Sequence, residues 1–307
     1  MNAPGHHHVP ARHLLLALAV VLVWGTNFTV IRFALDELPP LLFATLRFFF
    51  ALLPAAFFIR RPPVSWRSLA AYGVLIGVGQ FGLLYIAMNG FISPGLASLV
   101  VQSHVFFTIV LAMLFAKEGL RPFQIVALSL SVLGIVLIIE HGDASATLFG
   151  LTLTLIAALS WGIGNHVAKA SGATNMLAFV VWASLFAVPP LFVASLVLEG
   201  WPAISNAVSH AGPTAWAAVL WQSVGNTMFG YAAWGWLLAR HPAAAITPTA
   251  MLVPIVGMAT SAIVLGEALP AWKIGAAALV IGGLALNVLW PLATRLPGFP
   301  WRRGAGV

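Results

Sequence analysis

LLLALAVVLVWGTNFTVIR, residues 14–32, returns 137 positions later as LTLTLIAALSWGIGNHVAK, residues 151–169. The overlay sets Leu14, Leu16, Leu18, Leu22, Trp24, Gly25 and Val30 on Leu151, Leu153, Leu155, Leu159, Trp161, Gly162 and Val167, and Arg32 on Lys169. In a chain that is 61% hydrophobic, leucine coincidences are cheap, whereas a shared Trp-Gly pair is not. A second overlay, at 149 positions, sets Glu118-x-Leu120 on Glu267-x-Leu269 and Gly134 on Gly283. The chain therefore reads as two copies of one unit, 12–140 and 147–292, with a short tail at 1–11 and a basic tail at 293–307.

Composition fixes the solvent around those copies. Charged residues make up 7% of the 307 positions, against about 25% in an ordinary soluble domain. So little charge cannot clothe a water-facing surface, and a soluble globular enzyme is excluded. The absence of cysteine removes disulfides, cysteine-based zinc sites, iron–sulfur clusters and thiol nucleophiles. The net charge of +7 is scattered between long apolar runs. A nucleic-acid partner would gather it on one solvated face; scattered basic residues instead orient a chain in a lipid bilayer.

A helix needs roughly 20 apolar residues to cross the hydrocarbon layer. Ten stretches qualify: 12–34, 41–59, 68–89, 94–116, 122–139, 147–169, 175–197, 213–238, 243–265 and 271–292. The first is a span rather than a signal peptide, because its apolar character continues to Leu35 and it has an internal copy. Prolines 54, 189, 190, 248 and 254 fall inside spans. Neighbouring helices tolerate them as kinks, and Pro248 with Pro254 offers a hinge or an unwound site. With a cytoplasmic N-terminus, eleven basic residues lie inside and only Arg32, Arg47 and Lys273 lie outside or in the outer half. Both termini are then cytoplasmic.

Five crossings per copy is an odd number, so the second copy enters the membrane upside down. The expected fold is an all-α polytopic membrane protein of ten transmembrane helices, built as two inverted five-helix repeats. That arrangement suits a secondary transporter with its site near the midplane, where the repeats meet.

Trp24-Gly25-Thr26-Asn27-Phe28, Leu46-Arg47-Phe48, Ala97-Ser98-Leu99-Val100, Trp161-Gly162-x-x-Asn165 and the Glu118 and Glu267 junctions resemble the EamA-type drug/metabolite transporter superfamily over about residues 12–292. Met88-Asn89, the run from Gly95 to Gln102, and Phe106-Phe107-Thr108-Ile109 resemble its bacterial O-acetylserine/cysteine exporter type. The resemblance implies export of amino acids or related small metabolites across the bacterial inner membrane. It also implies a central cavity lined by the first four spans of each repeat, with the fifth and tenth peripheral.

Polar groups at bilayer depth are costly and face a cavity or each other. The candidates for substrate contact are Trp24, Asn27, Gln80, Tyr85, Gln102, His104, Trp161, Asn165, Trp182, Gln222, Asn226 and Tyr231. Each has a plainer reading as interhelical glue or, for the tryptophans, as apolar packing or an interfacial belt. Arg47 lies seven residues into its span, about 10 Å below the boundary at 1.5 Å per residue. It either snorkels outward or bonds backbone carbonyls, or it meets a substrate carboxylate.

No Asp or Glu falls in the middle of a span, so proton coupling would run through His104 or His166, or not exist. A chamber without fixed acid suits a neutral or zwitterionic solute whose ammonium rests on an aromatic face. No metal ion or cofactor is expected. The motifs of zinc hydrolases, serine hydrolases and diphosphate-binding enzymes are absent. The fused repeats argue against a channel. Import by the same fold stays open, as does oligomeric state.

Overall fold

The computed structural model describes residues 9–116, 121–141 and 145–294. Glu118, Asp143 and both terminal tails beyond these limits lie outside the described residues. Among the described residues nine helical runs are long and apolar enough to cross a membrane: α1 (Ala11–Leu35), α2 (Pro40–Phe58), α3 (Trp66–Met88), α4 (Pro94–Leu114), α5 (Pro122–Glu140), α6 (Leu148–Ser171), α7 (Met176–Leu198), α10 (Ala243–Leu265) and α11 (Ala271–Ala293). Between α7 and α10 lie a short helix, α8 (Trp201–His210), and a helical run, α9 (213–240). The eighth expected span is therefore helical, yet it is not among the nine. Gln222, Ser223, Asn226 and Thr227 dilute its apolar character. Helix α8 had no counterpart among the expected spans. It packs Ile204 and Ala207 inward and exposes most of the rest, as a helix at a surface does.

The packing is that of a chain solvated by lipid. Large apolar side chains point outward, Ile263 at 83% exposure and Phe58 at 83%, while Arg47 is 1% exposed. A soluble protein shows the reverse. The molecule is a polytopic, all-helical membrane protein.

Most close packing joins one half of the chain to the other. Helix α1 packs on α10 and α9, and in the reciprocal sense α6 packs on α4 and α3. Helix α2 packs on α7, and α5 on α11. Small residues permit the approaches. A Cβ at Gly73 or Gly77 of α3 would collide with Ala183 and Ala187, one turn apart on α7. The Gly73-x-x-x-Gly77 pattern is thus a helix–helix contact. Gly134 and Gly283 make the same kind of approach between α5 and α11.

The departures from α-geometry recur at matched positions. A π-helical segment spans Leu75–Gly82 in α3 and another spans Trp221–Phe229 in α9, 146 positions on. A 3-10 turn occupies Val101–Ser103 in α4, and Thr247–Met251, again 146 positions from its start, in α10. The second of these contains Pro248, so the span breaks where proline withholds its N–H. Pro54 likewise breaks α2, separating Pro40–Leu52 from the single turn Ala55–Phe58.

Candidate functional site

Three of the four irregular segments carry buried polar side chains: Gln80 in α3, Gln102 and Ser103 in α4, and a group of four in α9. π-Helical turns leave the usual hydrogen-bond register and occur often at functional sites. In α9 the π-turn brings Gln222, Ser223, Asn226 and Thr227 to buried positions together. Ser223 donates to the Val219 carbonyl and to the Arg47 carbonyl across the boundary with α2.

Arg47 is the hub. Its Nη1 donates to the Tyr85 hydroxyl at 3.0 Å and to Gln222 Oε1 at 2.8 Å. Its Nη2 donates to Asn226 Oδ1 at 3.1 Å and to the Thr227 hydroxyl at 3.3 Å. The guanidinium also lies 3.5 Å from the Phe81 ring centroid. Snorkelling and bonding to backbone carbonyls are both overturned: the side chain turns inward and its partners are side chains. The reason is local. Three neutral acceptors on one π-turn and a tyrosine opposite satisfy a planar, five-donor fork better than a climb to the interface would.

All three tyrosines of the chain gather here. Tyr85 stacks on Phe43, while Tyr72 and Tyr231 lie within electrostatic reach of one another and of Arg47. Trp24 donates its indole N–H to the Asn226 carbonyl at 3.2 Å and lies against Tyr231 and Trp234. A Cβ at Gly230 would collide with that indole, so the glycine makes room for it.

A second group assembles on α4 and α6. The Trp161 ring lies 3.6 Å from His104, centroid to centroid. Asn165 donates to the Thr108 hydroxyl at 3.4 Å, and His166 meets the Thr108 carbonyl at 2.9 Å. Gln80 and Gln102 are buried on the irregular segments of α3 and α4. Asn27 is buried on α1. Trp182 stands apart: it donates to the Ile59 carbonyl at 2.9 Å and meets Trp66 edge-on at the far end of α7. Sequence reasoning passed over Phe81 and Tyr72. A buried arginine without a carboxylate calls for a π-face and hydroxyls nearby, and that demand was the available signal.

Several buried polar atoms have no protein partner: Arg47 Nε and Gln222 Nε2 in the first group, Ser103 Oγ and His104 Nδ1 in the second, and Asn27 Oδ1 on α1. Among the described residues Arg47 meets no carboxylate, and no cluster of three metal-ligating side chains forms.

Comparison with known proteins agrees with this architecture. The EamA-like transporter family model matches residues 11–140 and again 148–289. A Salmonella typhimurium protein described as a probable amino-acid metabolite efflux pump is 38% identical, over 95% of this chain and 97% of its own. An Escherichia coli K12 protein of the same description is 36% identical over the same shares. A probable terminal-alkyne amino-acid exporter of Streptantibioticus cattleyicolor is 24% identical, over 87% of this chain and 90% of its own. One crystal structure, at 16% identity, superposes with a TM-score of 0.60 over 94% of this chain and 100% of that one, a likeness of fold. Matched in both halves and along nearly all of its length, the chain belongs to the EamA-like transporter family.

Proposed function

We propose that this protein is a secondary exporter of amino acids or related small zwitterionic metabolites, working by alternating access in the bacterial inner membrane. It crosses the membrane ten times as two inverted repeats, 12–140 and 147–292, with both termini cytoplasmic. The reading is supported by the doubled family match and by relatives described as amino-acid efflux pumps and exporters. The recurrence of π and 3-10 segments at 146 positions supports the repeat. Discontinuous helices near a repeat interface are where such carriers hold their solutes.

The observation that carries the proposal is Arg47. A buried charge stripped of water costs several kcal/mol unless it is compensated. Here it has only neutral acceptors, and its Nε, together with Gln222 Nε2, still lacks one. Both unpartnered atoms are donors, and a carboxylate is the acceptor that answers them bidentately. The ammonium of the same solute rests on aromatic faces, with Trp24 and Tyr231 on one side and Trp161 on the other. Asn27, Gln80, Gln102, His104 and Asn165 line the remainder. Trp182, bonded to the Ile59 carbonyl, lies outside this set.

Purified protein in proteoliposomes should exchange labelled neutral amino acids. Arg47→Met should abolish saturable flux, and Trp161→Ala or Asn165→Ala should impair it while the fold persists. Unaltered flux in Arg47→Met would remove the arginine from the site.

A further inference from the structure

Five of the chain's seven carboxylates are among the described residues: Asp36, Glu37, Glu140, Glu199 and Glu267. All five lie at the end of the bundle where α1, α5, α7 and α10 finish and α2, α4, α9 and α11 begin. Three of them reach across the boundary between the halves. Glu37, after α1, accepts from the Gly212 N–H at 2.5 Å, at the start of α9. Glu199, closing α7, accepts from the N–H groups of Leu41 at 2.6 Å and Leu42 at 3.0 Å, the first turn of α2. Glu267, between α10 and α11, accepts from the Gly95 N–H at 3.0 Å and the Ser93 hydroxyl at 2.5 Å, where α4 begins. Ser261, and Lys273 at 3.0 Å, complete its shell.

Among the described residues, the opposite end is built differently. There, two bonds between the halves are neutral or ring-to-ring: His13 Nδ1 to His241 Nε2 at 2.7 Å, and the Trp182 indole to the Ile59 carbonyl at 2.9 Å. The three capped helices, α2, α4 and α9, are the ones that carry Arg47, His104 and Gln222 farther along. A carboxylate at a helix N-terminus satisfies N–H groups that have no intrahelical partner and meets the positive end of the helix dipole. Such charge-assisted bonds are about twice as strong as neutral ones.

We propose that Glu37, Glu199 and Glu267 form a three-point latch that closes this end of the protein, each capping a helix of the opposite half, so that the site opens to this side only when they let go. The proposal rests on the alternating-access reading. It adds a resting bias: the side bearing the carboxylates is held shut and loading occurs from the other, as an exporter requires. By the distribution of basic residues the latched side is the outer one.

The native chain has no cysteine, so single reporters are clean. Ser98→Cys and Ala215→Cys place thiols at positions that are 0% exposed, one turn inside the latched helices. Alkylation by a membrane-impermeant maleimide added from the latched side should rise at least about threefold when Glu199→Gln or Glu267→Gln is introduced, because each change replaces a charged acceptor of several bonds by a neutral one. Thermal unfolding of each variant checks its fold. If Glu267→Gln unfolds, Glu37→Gln, at an exposed loop with a single bond, gives the same reading. Unchanged alkylation in folded variants overturns the latch.

A second measurement works in the opposite sense. Linking Glu37→Cys to Gly212→Cys with a short bifunctional thiosulfonate should stop solute flux, and reductant should restore it. Undiminished flux in the linked protein also overturns the latch. The alkylation assay needs no solute, so a protein that labels as expected but moves no amino acid would sink the assigned substrate and leave the latch standing.

Discussion

Arg47 shows how one side chain can be placed by chemistry that lies elsewhere in the sequence. Its own neighbours, Leu46 and Phe48, say nothing of where the guanidinium goes. Its acceptors come from positions 85, 222, 226 and 227. Replacing it with lysine keeps the charge and loses the fork. Arg47→Lys should therefore lower flux at least tenfold and depress the midpoint of thermal unfolding in detergent, because an ammonium is a single point of charge without the planar fork that meets Gln222 and Asn226 from separate nitrogens. Tyr85→Phe removes a single neutral partner and should cost about 1–3 kcal/mol by the same measurement. Glu267 gives a pH prediction. Burial pushes its pKa up, but the bonds from Ser261, Ser93, Lys273 and the Gly95 N–H outweigh this and hold it below the ordinary 4.5. A carboxyl whose folded pKa is depressed stabilises fully above its unfolded value and loses that stabilisation as pH falls through the folded one. The destabilisation caused by Glu267→Gln should accordingly be constant from about pH 5 to 8 and shrink only in stronger acid. A midpoint difference that varies between pH 6 and 8 would contradict this.

Helix contacts are decided by the smallest residues. Gly73 faces the backbone carbonyl of Ala183, which cannot step aside, so Gly73→Ala should cost about 1–3 kcal/mol of stability through overpacking. Gly235, in the last part of α9, has open space where its Cβ would be. Gly235→Ala should be neutral or stabilising by up to about 1 kcal/mol, since alanine is the better helix former. A pair of midpoints measured side by side tests both. The Gly73-x-x-x-Gly77 spacing was legible beforehand because a one-turn repeat of glycines has one use in an apolar helix. The π-turns of α3 and α9 were not. Each packs against several helices at once, and no local composition announces it. Proline marked the break at Pro248 but not the matching turn at Val101–Ser103, which contains none.

For the molecule as a whole, the proposed inverted repeat makes a prediction about sidedness. Arg67→Cys and Ala203→Cys, both at exposed positions, should react with impermeant reagent from opposite sides of sealed vesicles. Arg67 should label from the cytoplasmic face and Ala203 from the outer face. Labelling of both from one side would undo the topology and, with it, alternating access. The expected ten crossings came from hydropathy, and α9 is where hydropathy is least informative. Its polar residues are what make it a poor span by composition and a rich wall by chemistry.

Sequence alone determined the solvent, the helical content and the doubling of the chain, because the cost of placing a charge in lipid and the length needed to cross it are properties of composition and spacing. It also marked most of the polar residues that matter, since any such residue in an apolar run must be accounted for. Only the tertiary structure decided which of them meet. Arg47 turned inward, Trp182 went to the far end, and three glutamates at loop positions became caps for helices from the other half. Those outcomes depend on bonds between residues 38 to 180 positions apart, and no reading of neighbours along the chain contains them.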